Sequence, residues 1–209
     1  MLNDIGNIII SRINSLPFID KYAGVVKVLS YTDIDENSGK AVKKSFPASC
    51  QTTFVDCEND KSRYRDLCPD SKKKSVLYLE DKGVRFKSID GHKVFYVAQF
   101  DLICWLNLPL LGVSECSYSA RAVAAIIGKL IGKGVPFQDG IYQRLFIKPV
   151  GEQPKSQNPF SKYSYDIEAS QLLMYPYDYF VMILEVEFMV DVRCIDEITL
   201  EPPINCLTQ

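Results

Sequence analysis

The sequence predicts an α+β fold, a mainly antiparallel β-sheet with two principal helices packed on one face and with long loop insertions. Apolar residues recur in steps of three and four near the N-terminus and again over 120–131, the spacing of one helical face. Two runs, 92–106 and 177–193, alternate apolar and polar residues over more than ordinary strand length. Asp90-Gly91 stands between two β-rich runs, the local chemistry of a hairpin turn.

Leu2, Ile5, Ile9, Ile13 and Leu16 define the first helix. Pro17 ends it, because the residue before a proline is driven out of helical conformation. Residues 24–31 read as a strand, 33–40 as a polar turn and 42–55 as a second extended stretch. Residues 56–75, dense in charge and poor in core formers, read as a surface insertion. SVLYLE (75–80), an Asp81-Lys82-Gly83 turn, VRFKSI (84–89), Asp90-Gly91 and HKVFYVAQFDLICWL (92–106) then read as an antiparallel meander. From Val94 the even positions are nearly all apolar, whereas the odd ones include Gln99 and Asp101. Thirteen residues at ~3.3 Å each span roughly 43 Å, so this strand must bend or overrun its own domain.

The second helix, capped by Ser114 or Ser117, runs to about Ile131 with Ala120, Val123, Ala124, Ile127, Leu130 and Ile131 as its buried stripe. Ala122, Ala125 and Gly128 widen the stripe, and Gly132 and Gly134 give the end signal. A short strand at 142–150 and a second insertion at 151–164 follow. In 177–193 the even positions are apolar without a break, while the odd ones pass from Tyr179, Val181 and Ile183 to Glu185, Glu187, Asp191 and Arg193. One face therefore lies on a core and the distal part of the other in water. The tail 199–209, interrupted by Pro202 and Pro203, is extended. All 209 residues fit a single domain with these insertions.

The chain carries 24 Lys plus Arg against 26 Asp plus Glu, one histidine, seven cysteines and 47% hydrophobic residues. It is too apolar for a disordered chain, and a net charge of -2 gives no field for coating nucleic acid. A lone His92 excludes any mechanism that needs two histidines. The start Met-Leu-Asn-Asp lacks the pattern of a secretory leader. No clean run of about 20 apolar residues exists, so no membrane-spanning helix is expected. The cysteines form no C-x-x-C pair, which suits reduced thiols in a cytoplasmic site of synthesis.

Candidate chemistry is sparse. His92 follows the Asp90-Gly91 turn and reads as an exposed turn histidine rather than a catalytic base. Cys104 and Cys194, on or at the end of amphipathic strands, read as structural thiols. Cys50, Cys57 and Cys68 with His92 could supply four zinc ligands, but spacings of seven and eleven lack the close pairs of a chelating loop. Lys61, Arg63, Arg65 and Lys72 to Lys74, with Tyr64 among them, read as a solvated basic loop, with a contact to DNA phosphates or an acidic partner as the minority reading. Glu185 and Glu187, extended by Asp191, could serve acid–base or cation chemistry. The blander reading of that row is a solvated acidic face. No phosphate-cradling or nucleophile-elbow motif accompanies it.

The order of elements resembles the tail terminator or tail completion family of tailed-phage neck proteins. The resemblance rests on MLNDIGNIIISRINSLPFIDKY as opening helix and strand, KVFYVAQFDLICWL leading into a helix, and YDYFVMILEVEFMVDV as closing strand. It implies a non-catalytic structural virion protein, made in the host cytoplasm, that forms a homo-oligomeric ring around the DNA channel at the head-to-tail junction. Portal-proximal and tail-proximal proteins would be its axial partners, with no sequence-specific DNA binding, no cofactor, no metal and no membrane. Glu185, Glu187 and Asp191 become candidates for a lumen or interface, and the distal parts of the two long strands become candidates for subunit contacts. The alternatives from other classes are a cytoplasmic enzyme acting through the acidic strand face and a monomeric protein-binding module.

Overall fold

The computed structural model describes residues 2–34, 39–48, 67–112, 120–132, 142–155, 157–164 and 173–191. The first helix, α1 (Leu2–Ser11), buries Ile5, Ile9 and Ile10. It ends earlier than Pro17 would require. The Ser11 hydroxyl donates to the Ile8 carbonyl at 2.8 Å, a local bond that competes with helix continuation. The chain then proceeds in tight turns that still bury Ile13, with the Arg12 amide on Ile9 O and the Leu16 amide on Ile13 O.

Six strands follow: β1 (Lys21–Ile34), β2 (Ala41–Ala48), β3 (Ser75–Asp90), β4 (Lys93–Asn107), β5 (Tyr142–Glu152) and β6 (Tyr177–Asp191). The second helix, α2 (Arg121–Ile131), lies between β4 and β5 in the chain. The sheet order is β2-β1-β3-β4-β6-β5. All pairs are antiparallel except β1 with β3, which is parallel from Lys21↔Val76 to Val26↔Glu80. Past Val26, β1 leaves β3 and pairs with β2 over 27–34. The fold is thus α+β with a mostly antiparallel mixed sheet.

The expected meander is a single long hairpin. Asp81-Lys82-Gly83 makes no turn; it is a bulge inside a continuous β3, with the pairing stepping from Asp81↔Phe100 to Val84↔Ala98. Gly83 takes φ 108° and its amide donates to Asp81 Oδ1 at 2.7 Å, so turn-like chemistry is absorbed locally while β4 holds both flanks. The true turn is Gly91-His92. Only its first residue has positive φ, 58° at Gly91, as a II′ turn requires.

The two long strands neither bend away nor overrun the domain. β4 is paired along its length with β3 on one side and β6 on the other, and β6 with β4 and β5. Both are interior strands, so their distal parts are not the free edges that their length suggested. Among the described residues, the open edges belong to distal β3 (81–90), to β5 and to β2.

Both helices sit on one face. Ile5 and Ile9 of α1 and Val123, Ala124 and Ile127 of α2 join the even residues of β4, from Ala98 to Leu106, in one core. A Cβ on Gly6 would stand 2.7 Å from Val25 Cγ2, so glycine is what lets α1 lie this close to β1. Gly128 approaches Met182, whereas Ala122 and Ala125 are exposed and widen nothing. The Arg12 guanidinium donates to the Ile131 carbonyl at 2.8 Å and ties the two helices together. Ser114 and Ser117 lie outside the described residues. The α2 start at Ala120 has no side-chain cap of its own; its amide bonds Asp178 Oδ2 of β6 at 2.8 Å. No helix among the described residues is long and apolar enough to cross a membrane.

The opposite face carries a second core of Val26, Tyr78, Ile103, Trp105 and Val181, covered by Leu67, Phe160 and Tyr163. The two expected surface insertions therefore need correction where they are described. Leu67 and Cys68 are buried, and 153–155 and 157–164 pack instead of looping free; 49–66 and the tail 192–209 lie outside the described residues. Because Phe100 is fully buried at the centre of β4 whereas Phe86 is exposed, Phe100→Ala is expected to lower stability by about 3–5 kcal/mol. Phe86→Ala is expected to cost no more than about 1 kcal/mol. Urea denaturation of the two variants checks the contrast.

Candidate functional site

The segment that follows β5 is a strap across the sheet. It starts at one edge, where the Gln153 amide bonds Val181 O of β6 at 2.9 Å. It ends near the other edge, where Ser164 and Ser45 of β2 exchange two bonds, Ser164 N to Ser45 O at 2.8 Å and Ser45 N to Ser164 Oγ at 3.0 Å. Local chemistry shapes it: Asn158 Oδ1 accepts the Phe160 amide at 2.9 Å, an Asx-type turn beside Pro159. Phe160 stacks edge-on against Tyr179 and Tyr163 against Tyr78. Lys155 pairs with Asp178, the same carboxylate that holds the start of α2.

Beneath the strap, Glu80 and Asp101 stand directly opposite each other on β3 and β4, and both are buried. Like charges opposed across a strand pair repel, and buried carboxylates without partners are costly. Two lysines balance them. Lys82 Nζ lies 3.0 Å from Asp101 and 3.6 Å from Glu80, and Lys162 of the strap pairs with Glu80. Tyr163 donates its hydroxyl to Glu80 at 2.8 Å, and Gln153 donates to Asp101. Burial alone would lower the Lys82 pKa, but Asp101 and Glu80 together outweigh it and move it up. Burial first, and the Glu80 charge second, hold the Tyr163 phenol well above its ordinary value, so it stays a donor. The arrangement is a clasp that fastens the strap to the sheet.

The predicted row Glu185, Glu187 and Asp191 does lie on one face of β6, but it is not a bare acidic face. Glu187 pairs with Lys87 at 2.6 Å and Glu185 with Arg85 at 3.7 Å, both from distal β3. Asp191 is buried, opposite Lys93 in register. Exposed pairs of this kind contribute little stability, yet they remove the uncompensated negative field that the sequence suggested. Sequence reasoning named Asp101 only as a polar interruption and missed Glu80, Lys162 and Tyr163. The available signal was a carboxylate at the end of SVLYLE and another inside FDLICWL, each within an otherwise apolar run.

His92 is exposed in its turn. Cys104 is buried, which raises its thiol pKa and keeps it an inert, structural group. Cys50, Cys57, Cys116, Cys194 and Cys206 lie outside the described residues, as do Lys61, Arg63, Tyr64 and Arg65, while Lys72 and Lys74 are exposed. The four-ligand zinc set fails on geometry. Leu67, next to Cys68, packs with Trp105, and Trp105 is separated from His92 by nearly the whole of β4, roughly 40 Å at strand spacing. No cluster of three His, Cys, Asp or Glu among the described residues could hold a metal.

Two further surfaces are set by the topology. Distal β3 pairs with β4 on one side only among the described residues. It exposes Val84, Phe86 and Ile89 at 39%, 58% and 64%. β5 forms the far edge and exposes Phe146 and Val150 at 44% and 43%.

No protein-family model, no curated protein and no solved structure shows a significant match to the chain.

Replacing Tyr163 by Phe removes a hydrogen bond to a buried carboxylate and is expected to cost about 1.5–3 kcal/mol, with faster hydrogen exchange confined to 153–164. The raised phenol pKa fixes the sign of a pH effect: the stabilisation is present below the unfolded tyrosine value, about 10, and declines as pH rises above it. The gap between wild type and Tyr163→Phe therefore narrows in alkaline denaturation series.

Proposed function

We propose that the chain is a structural virion protein without enzymatic activity, a subunit of a homo-oligomeric ring at the head-to-tail junction of a tailed phage, of connector or tail-terminator type. The observation that carries this reading is that, among the described residues, the sheet has unlike open edges at distal β3 and at β5. A ring repeats one heterologous contact about an axis, so every copy needs two different complementary surfaces. Distal β3 and β5 are two such surfaces, each an edge strand with exposed apolar side chains.

The order of helix, strands, long hairpin, helix and closing strand supports the head-to-tail junction as the place of the ring. Its charge is in keeping with a DNA channel. A net -2 over the chain, with Glu185 and Glu187 matched by Arg85 and Lys87, supplies no strong net positive field to hold a passing duplex. The same ion pairs weigh against an enzyme working through the acidic row, because its carboxylates are already engaged. Portal-side and tail-side structural proteins remain the axial partners in this reading.

Native mass spectrometry with negative-stain imaging tests it. One closed species at a whole-number multiple of the subunit mass, annular in projection, is the expected result. A chain that stays monomeric at every concentration, and does not assemble when mixed with the other structural proteins of the particle, contradicts it.

A further inference from the structure

The geometry points to a specific joint for that ring: distal β3 of one copy adds to β5 of the next, so that the sheets run on from subunit to subunit. This inference rests on the ring reading and names the surfaces that make it. Strand direction is the first ground. Across β3-β4-β6-β5 every pair is antiparallel, so β3, open on its outer side only in its distal part, and the edge strand β5 run in opposite directions. A second copy placed edge to edge without inversion therefore sets its β3 antiparallel to β5, which continues the existing alternation.

The second ground is the facing of side chains. On the helix side, Phe86, Tyr96, Phe188 and Leu145 occupy one cross-strand row, and Val84, Ala98, Val186 and Ile147 the next. Phe86 meets Tyr96 edge-on with centroids 6.4 Å apart, and Tyr96 stacks on Phe188 at 5.5 Å. Each row ends in an exposed apolar residue on β3 and a buried one on β5. The register that sets Phe86 of one copy opposite Leu145 of the next also sets Val84 opposite Ile147. On the other face it sets the Arg85 guanidinium beside the exposed Phe146 ring, a favourable cation–π pair.

The third ground is economy of contact. A two-fold dimer through β3 would cover that edge twice and leave β5 open, whereas the head-to-tail joint covers distal β3 and the facing part of β5 with one repeated contact, β2 lying outside it. Main-chain hydrogen bonds supply affinity and the alternate side chains supply register, as in other strand additions.

Two variants test the joint. Phe86→Asp with Ile89→Asp spoils the β3 edge, and Phe146→Asp with Val150→Asp spoils the β5 edge; all four residues are exposed. Native mass spectrometry is expected to show assembled wild type, each variant alone as a monomer, and the mixture of the two as a heterodimer and nothing larger. Formation of that heterodimer also demonstrates that both variants are folded. If the β5-edge variant dimerises alone, β3 pairs with itself and the joint is wrong. If wild type and both variants assemble equally, the ring reading stands and this joint is overturned. If wild type fails to assemble, alone or with its particle partners, the joint and the ring reading fall together.

Discussion

The fold turns on the burial of β4 on both faces. Lys93–Asn107 is apolar at its even positions and carries Ile103 and Trp105 among its odd ones, so a sheet with cover on only one side would leave part of it in water. The even face is satisfied by α1 and α2, which share one core with it. The odd face is covered, among the described residues, by Leu67 and by the segment after β5. That segment, the strap, contributes Phe160 and Tyr163. Its attachment brings the Glu80 and Asp101 carboxylates into balance with Lys82 and Lys162. Packing and electrostatics are thereby coupled: the strap covers the second core only where the clasp holds it, and the clasp is stable only because the strap brings Lys162 and Tyr163.

Full pairing of β4 and β6 also dictates where the molecule remains open. Interior strands this long need equally long neighbours. β3 serves β4 along its whole length, but β1 serves β3 only as far as Val26↔Glu80 before turning to β2. What is left is a projecting hairpin edge with Val84, Phe86 and Ile89, and, across the sheet, β5 as the last strand. The open edges are a consequence of strand length, and a repeating assembly is one physical means of covering edges of this kind.

Much of this was legible in local patterns. The period-two alternation located β4 and β6 within a residue or two at the described ends, and the period near 3.6 located the buried stripes of α1 and α2, because those signals depend on which face is buried and not on what buries it. Features decided by distant partners were not legible. Asp81-Lys82-Gly83 has the chemistry of a turn, and only the continuous pairing of both flanks with β4 makes it a bulge. Residues 151–164, with three residues among Gly and Pro, read as a loop because Phe160 and Tyr163 are their only large apolar side chains. Glu80 and Asp101 are adjacent only through a strand register that no sequence spacing encodes, and Glu185 and Glu187 look unpaired until Arg85 and Lys87 are brought across from β3.

The proposed edge-to-edge joint closes distal β3 of one copy against β5 of the next. Hydrogen–deuterium exchange, followed from dilute to concentrated protein, addresses it at the backbone. Protection that grows with concentration in 84–90 and 142–148 together, with the strap and β2 unchanged, is the predicted result. Unchanged exchange at both edges in an assembled sample, or protection gained instead over β2 or 153–164, would contradict it.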